Sequence, residues 1–156
     1  MSKLTYETMR KMVQENEGRK DHLYLDHLGN LTGGVGHHFK VGTYLPEKAI
    51  DALFDHDFWS TRKDFRDLKE LGGIGDIGPV RDFVLIDMLF NMGLGKMLKF
   101  KKMLKALHFA DFEKAADEIK DSLYYRQHEY AGPGKWHRAK RNAWMMQEGV
   151  LWDQGN

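Results

Sequence analysis

The 156-residue chain has no cysteine and only three prolines. Without cysteine there are no disulfides, thiolate nucleophiles, cysteine-based zinc sites or iron–sulfur clusters, so any metal would have to be held by histidines and carboxylates. Nowhere do about 18 apolar residues run uncharged, as a membrane-spanning helix would need. The N-terminal Met1-Ser2-Lys3-Leu4-Thr5-Tyr6-Glu7 has no apolar run of signal-peptide length, so the expectation is a soluble protein made in the cytoplasm. No internal repeat or low-complexity segment is found, which excludes solenoids, collagen and disordered tails. What remains, 42% hydrophobic and 30% charged residues, suits one soluble domain with a single core.

Net charge is +1, but it is unevenly spread: residues 1–78 carry −2 and residues 79–156 carry +3. Lys96, Lys99, Lys101, Lys102 and Lys105 form one basic group with no acid inside it, and Lys135, Arg138, Lys140 and Arg141 form another. Such groups either attract an anionic polymer or form a solvated face. The basic residues lack interleaved aromatics and the net charge is near zero, so a nucleic-acid partner is not expected.

Tyr6, Met9, Met12 and Val13 recur at helical spacing and Gly18 follows, which predicts a short amphipathic helix over 5–16 that ends near Glu17. From Leu23 to Thr32 a Gly29-Asn30 turn signal is flanked by apolar and β-branched residues, the pattern of a hairpin or meander. Gly33, Gly34 and Gly36 then permit tight turns or close approach of a ligand. Pro46 suits a helix start, and an apolar stripe from Leu45 through Phe54, Phe58 and Phe65 to Leu68 predicts one long helix, or two in sequence, reaching about residue 70. Residues 71–79 hold four glycines and a proline and form the clearest loop. The stretch from Val80 to Gly93 is apolar nearly all round and predicts a helix buried at the centre of a helical lobe. Further helices are expected around 96–108, 111–123 and 137–148, the second capped by Asp111. The whole is α+β, mainly helical with a small sheet near the front.

Glu17 and Asp26 are nine positions apart and Thr32 follows six later, so the three could share one cleft. Hydrolysis of a glycosidic bond needs a protonated carboxyl for the leaving oxygen and an ionised carboxylate on the other side of the sugar. Each residue also has a plainer reading: Glu17 as an exposed helix-end acid, Asp26 as an acid bonding its own turn, Thr32 as a β-branched strand residue. His22, His27, His37, His38 and His56 enrich the front half, yet His37 and His38 are strand neighbours that face opposite ways, and no helical His-x-x-x-His pair occurs. His37 is expected to pack beside a carboxylate. No metal and no cofactor are expected.

The combined string Asn16-Glu17-Gly18, Leu23-Tyr24-Leu25-Asp26 and Gly29-Asn30-Leu31-Thr32-Gly33-Gly34-Val35-Gly36-His37 resembles the phage-type lysozymes, the T4-lysozyme-like endolysins of glycoside hydrolase family 24. The resemblance continues through Phe90-Asn91-Met92-Gly93 and Arg138-Ala139-Lys140-Arg141. The string departs from the pattern at Gly33, where a bulkier residue is expected. Tyr130 to Trp136 looks like the Gly-rich loop of other members, and the interval before the buried helix is compact. The resemblance implies a lysozyme-like domain over 1–156: a small N-terminal lobe with a three-stranded sheet (about 14–70), a larger helical lobe (71–156), a long helix joining them, and helix 5–16 packed on the C-terminal lobe. It also implies hydrolysis of the β-1,4 bond between N-acetylmuramic acid and N-acetylglucosamine in peptidoglycan, with inversion. Glu17 would be the general acid, and Asp26 with Thr32 would activate water. Gly36, His37, Asn91 and Arg138 would contact substrate, with Arg138 orienting; the plainer reading makes Asn91 a helix-capping amide and Arg138 a surface residue. The expected protein is a monomer without stable membrane association, released from the host cytoplasm to the wall late in infection. The alternatives are a zinc-dependent peptidoglycan amidase, which needs a His-based ligand set, and a wall-binding module of the same fold without turnover.

Overall fold

A computed structural model describes residues 5–127 and 138–152. The segment Tyr130–Trp136 and Lys135 within it, singled out in the sequence, lie outside the described residues. Contacts group the chain into two compact units, Met1–Ala49 and Ile50–Asn156.

The first unit opens with helix α1, Tyr6–Glu17. The Thr5 hydroxyl caps it by accepting from the Thr8 N–H at 3.2 Å. Gly18 ends it at φ +72°, with its N–H donating to the Gln14 carbonyl at 3.1 Å. Met9, Met12 and Val13 are exposed, so this unit does not itself bury the apolar stripe of α1. Strands β1 (Lys20–Leu25), β2 (Leu31–Gly34) and β3 (His37–His38) form one antiparallel sheet in that order. The register pairs Tyr24 with Thr32 and Leu25 with Leu31, then Thr32 with His38 and Gly33 with His37. Gly33 is buried, and a Cβ there would lie 2.7 Å from Leu23 Cδ2 and 3.3 Å from Phe39 Cε2. Leu23 and Phe39 thus occupy the space that a side chain at position 33 would need, so glycine suits the position in this chain.

Helix α2 is a single helix, Glu47–Gly72, starting directly after Pro46. Within it only Thr61 and Leu68 are buried, and the apolar residues of its first half, Leu53, Phe54 and Phe58 among them, remain exposed. The loop that follows is anchored by Ile74 and Ile77, both buried in the core of the second unit.

Helix α3, Pro79–Met92, runs between Gly78 at φ +82° and Gly93 at φ +77°. It buries Val84, Leu85, Met88 and Leu89, but Phe83 and Phe90 are exposed, so its apolar surround is covered on one side only. Five helices complete the unit: α4 (Leu94–Met97), α5 (Lys101–His108), α6 (Phe112–Lys120), α7 (Leu123–Gln127) and α8 (Arg138–Glu148). The expected helix over 96–108 is therefore broken at Leu98–Phe100, and the one over 111–123 stops at Lys120. Asp111 does cap α6, accepting from the Lys114 N–H at 3.1 Å. The α6 helix packs on α5 and α8. Arg81 ties α3 to the end of α8, donating from Nε to the Met146 carbonyl at 2.8 Å and from Nη2 to that of Gln147 at 3.0 Å. These are carbonyls that a helix terminus leaves without intrahelical partners.

Candidate active site

Glu17 is the last residue of α1, and its carboxylate lies against the β2–β3 turn. A Cβ at Gly36 would sit 2.9 Å from Glu17 Oε2, and Gly36 has φ +69°. Glycine is required there twice over, for the backbone conformation and for the approach of the acid. Glu17 is exposed.

Asp26 occupies the turn between β1 and β2, its side chain 14% exposed. Oδ1 accepts from the Leu28 N–H at 2.9 Å and the Asn30 N–H at 2.8 Å; Oδ2 accepts from Asn30 Nδ2 at 3.0 Å. The turn is closed by the Asp26 N–H donating to the Asn30 carbonyl and the Gly29 N–H donating to that of Asp26, both at 3.0 Å. Asp26 therefore does bond its own turn, yet its Oδ2 also faces His38, whose Nε2 is 3.5 Å away. The Asn30 side-chain amide and then the Asn30 N–H hold the Asp26 carboxyl below its ordinary value against the opposing effect of burial; Leu28 N–H and the nearby His38 add to the lowering.

Thr32 is only 2% exposed. Its hydroxyl donates to the Asn30 carbonyl at 3.1 Å. His38 is its cross-strand partner, and residues directly opposite in an antiparallel pair share a face of the sheet. The histidine beside a carboxylate is thus His38; His37 packs edge-on against Phe39, ring centroids 4.8 Å apart. Among the described residues no group of three or more His, Asp or Glu is placed to hold a metal ion.

Glu17, Gly36, Asp26, Thr32 and His37 all belong to the first unit, where Glu17 meets Gly36 and Asp26 and Thr32 meet through Asn30; Asn91 and Arg138 belong to the second. Arg138 is bound to Asp87: Nε donates to Oδ2 and Nη2 to Oδ1, each at 2.7 Å, and Nη2 also reaches the Asp87 carbonyl at 2.9 Å. That pairing raises the arginine's already high pKa. Asn142, buried in α8, donates to Asp87 Oδ2 at 2.7 Å and to the Tyr124 hydroxyl oxygen at 2.9 Å. Burial, followed by the Asp87 charge, pushes Tyr124 up to about 12. Arg138 is therefore neither a plain surface residue nor an isolated cation. Asn91 is exposed at the end of α3 and its side chain makes no hydrogen bond among the described residues; the Gly93 N–H takes the capping role by donating to the Leu89 carbonyl at 2.7 Å. Asn91 lines a cavity of about 760 Å³ with Lys96, Lys99, Lys101, Lys102 and Phe100.

Asn30, His38 and Asp87 are the contributors that sequence reasoning passed over. Asn30 was visible as half of a turn signal, and His38 as a strand neighbour. Asp87 gave no signal, since its role depends on helix packing.

A family profile described as Phage lysozyme matches residues 14–140. The chain is 29% identical over 146 residues to the pre-baseplate central spike protein Gp5 of Enterobacteria phage T4, covering 77% of this chain and 25% of that protein. It is 25% identical over 146 residues to the probable T4-type lysozymes 1 and 2 of Dictyostelium discoideum, covering 77% of this chain and 86% of each. The chain thus spans a quarter of the length of the spike protein and most of the length of the other two.

Proposed function

The chain belongs to the phage lysozyme family, and on that premise we propose that it is a muramidase acting on bacterial peptidoglycan as a monomer. On this reading it cleaves the β-1,4 bond between N-acetylmuramic acid and N-acetylglucosamine with inversion. The observation that supports the reading is the presence, in one small unit, of an acid held against Gly36 and of a carboxylate gripped by three donors from Asn30 and Leu28.

Each residue then has one task. Glu17 gives its proton to the leaving glycosidic oxygen as the bond to the anomeric carbon breaks. Asp26 takes a proton from the water whose oxygen bonds to that carbon from the opposite face. The donors on Asp26 favour its ionised form, which suits a base. Thr32 holds the water with Asp26, and Gly36 and His37 contact the substrate. In the same reading the enzyme reaches the wall from the host cytoplasm late in infection. Among the described residues no helix is long and apolar enough to cross a membrane.

Digestion of purified peptidoglycan, with and without a chelator, tests the proposal. New reducing ends that persist with the chelator are expected; new amino and carboxyl ends that vanish with it would indicate a metal-dependent amidase instead. Glu17→Gln keeps the shape and removes the acid, and should lower hydrolysis by on the order of 100-fold or more with fold and wall binding intact. Near-native turnover in that variant would end the assignment.

A further inference from the structure

We propose that Asn30 is a positioning residue of the reaction, aiming Asp26 and Thr32 together at the attacking water. This rests on the muramidase reading. The geometry is specific to this turn. Asn30 contacts Asp26 from both ends: its N–H donates to Oδ1 at 2.8 Å, its Nδ2 donates to Oδ2 at 3.0 Å, and its carbonyl accepts the Asp26 N–H at 3.0 Å. The same carbonyl accepts the Thr32 hydroxyl at 3.1 Å.

A hydroxyl has one proton to donate. With that proton committed to Asn30, Thr32 can offer a water only lone pairs. Asp26, as a carboxylate, also offers only lone pairs. A water held by both must donate one hydrogen to each, which leaves its own lone pair for the anomeric carbon. Thr32 is buried and β-branched, so its hydroxyl has few alternative orientations. Oδ1 already accepts two backbone N–H groups, so the oxygen with capacity to spare is Oδ2, which Asn30 Nδ2 fixes in direction. Among the described residues the ionisable side chain placed against Asp26 is His38 of β3, 3.5 Å from Oδ2. Asn30 is thus, among the described residues, the one that touches both the Asp26 and the Thr32 side chains by hydrogen bond, and the lowered carboxyl of Asp26 owes most to it.

The test compares the parent with Asn30→Ala and Asn30→Leu. Alanine removes only the Nδ2 donor and keeps both backbone bonds; leucine keeps the branched shape of the side chain without donor or charge, as a guard against misfolding. For both variants, kcat on a soluble glycan fragment is expected to fall on the order of 10-fold to 100-fold, with KM within about twofold, because aim rather than binding is lost. In carbon-13 NMR, the titration midpoint of the Asp26 carboxyl is expected to rise in both. An unchanged kcat together with an unchanged midpoint would overturn the positioning role. A parent that cleaves no glycan would contradict the muramidase reading separately. In that case the titration still decides the grip on Asp26: a raised midpoint supports it, and an unchanged one overturns it.

Discussion

At Gly36 one missing methyl group decides two things at once. The φ of +69° strains any other residue, and a Cβ would press on Glu17 Oε2 at 2.9 Å. Gly36→Ala is expected to destabilise the protein by about 1–3 kcal/mol, measured by urea unfolding, and to lower wall hydrolysis beyond what the lost stability explains. Loss of stability with full activity would show that the acid does not depend on this turn. The sequence made glycine-rich backbone visible here, but not which glycine faces Glu17. The same holds for the histidines: alternation says that His37 and His38 face opposite ways, and only the Thr32–His38 register says which one meets Asp26. Asn30 was legible as a turn residue because turn propensity is local. Its grip on both oxygens of Asp26 depends on how the five-residue turn closes.

Among the elements, the helix-forming pattern was readable wherever burial and caps agree, as at Asp111 and between Gly78 and Gly93. It failed where tertiary packing overrides the local pattern: Leu98–Phe100 interrupt the helix expected over 96–108, and Phe83 and Phe90 lie outside the cover that the buried face of α3 receives. The α3–α8 contact uses polar groups that no periodicity announces. Arg81→Ala removes two donors to the end of α8 and a guanidinium 3.7 Å from the Phe112 ring centroid, and should cost about 2 kcal/mol in thermal or denaturant unfolding. A loss within experimental error would mean that α8 is held by its apolar face alone. Tyr124 gives this region a pH signature. Its folded-state value of about 12 lies above the ordinary 10, so the neutral form is favoured by folding. The stabilisation it contributes is complete below about pH 10 and is lost as pH rises from there towards 12. Tyr124→Phe should show a shallower alkaline loss of stability over that window than the parent, and parallel curves would contradict the burial effect.

For the molecule as a whole, the charge asymmetry read from composition acquires a location. Lys96, Lys99, Lys101 and Lys102 line one cavity together with Glu118 and Asp121, yet none of the four lysines forms an ion pair among the described residues. If they draw the enzyme to an anionic wall, replacing several with Gln should slow hydrolysis more at low than at high salt. An equal loss at both would indicate a packing role. The resemblance carried the fold class because its motifs span both units, from Glu17 to Arg138. The role proposed for Asp26 is read out by the anomeric form of the first-formed sugar end, followed by proton NMR during hydrolysis. Water activation requires the carboxyl pair to be roughly 6.5–9.5 Å apart and gives the inverted α-anomer first. An initial β-anomer from the parent would show retention and overturn the water-activating role of Asp26.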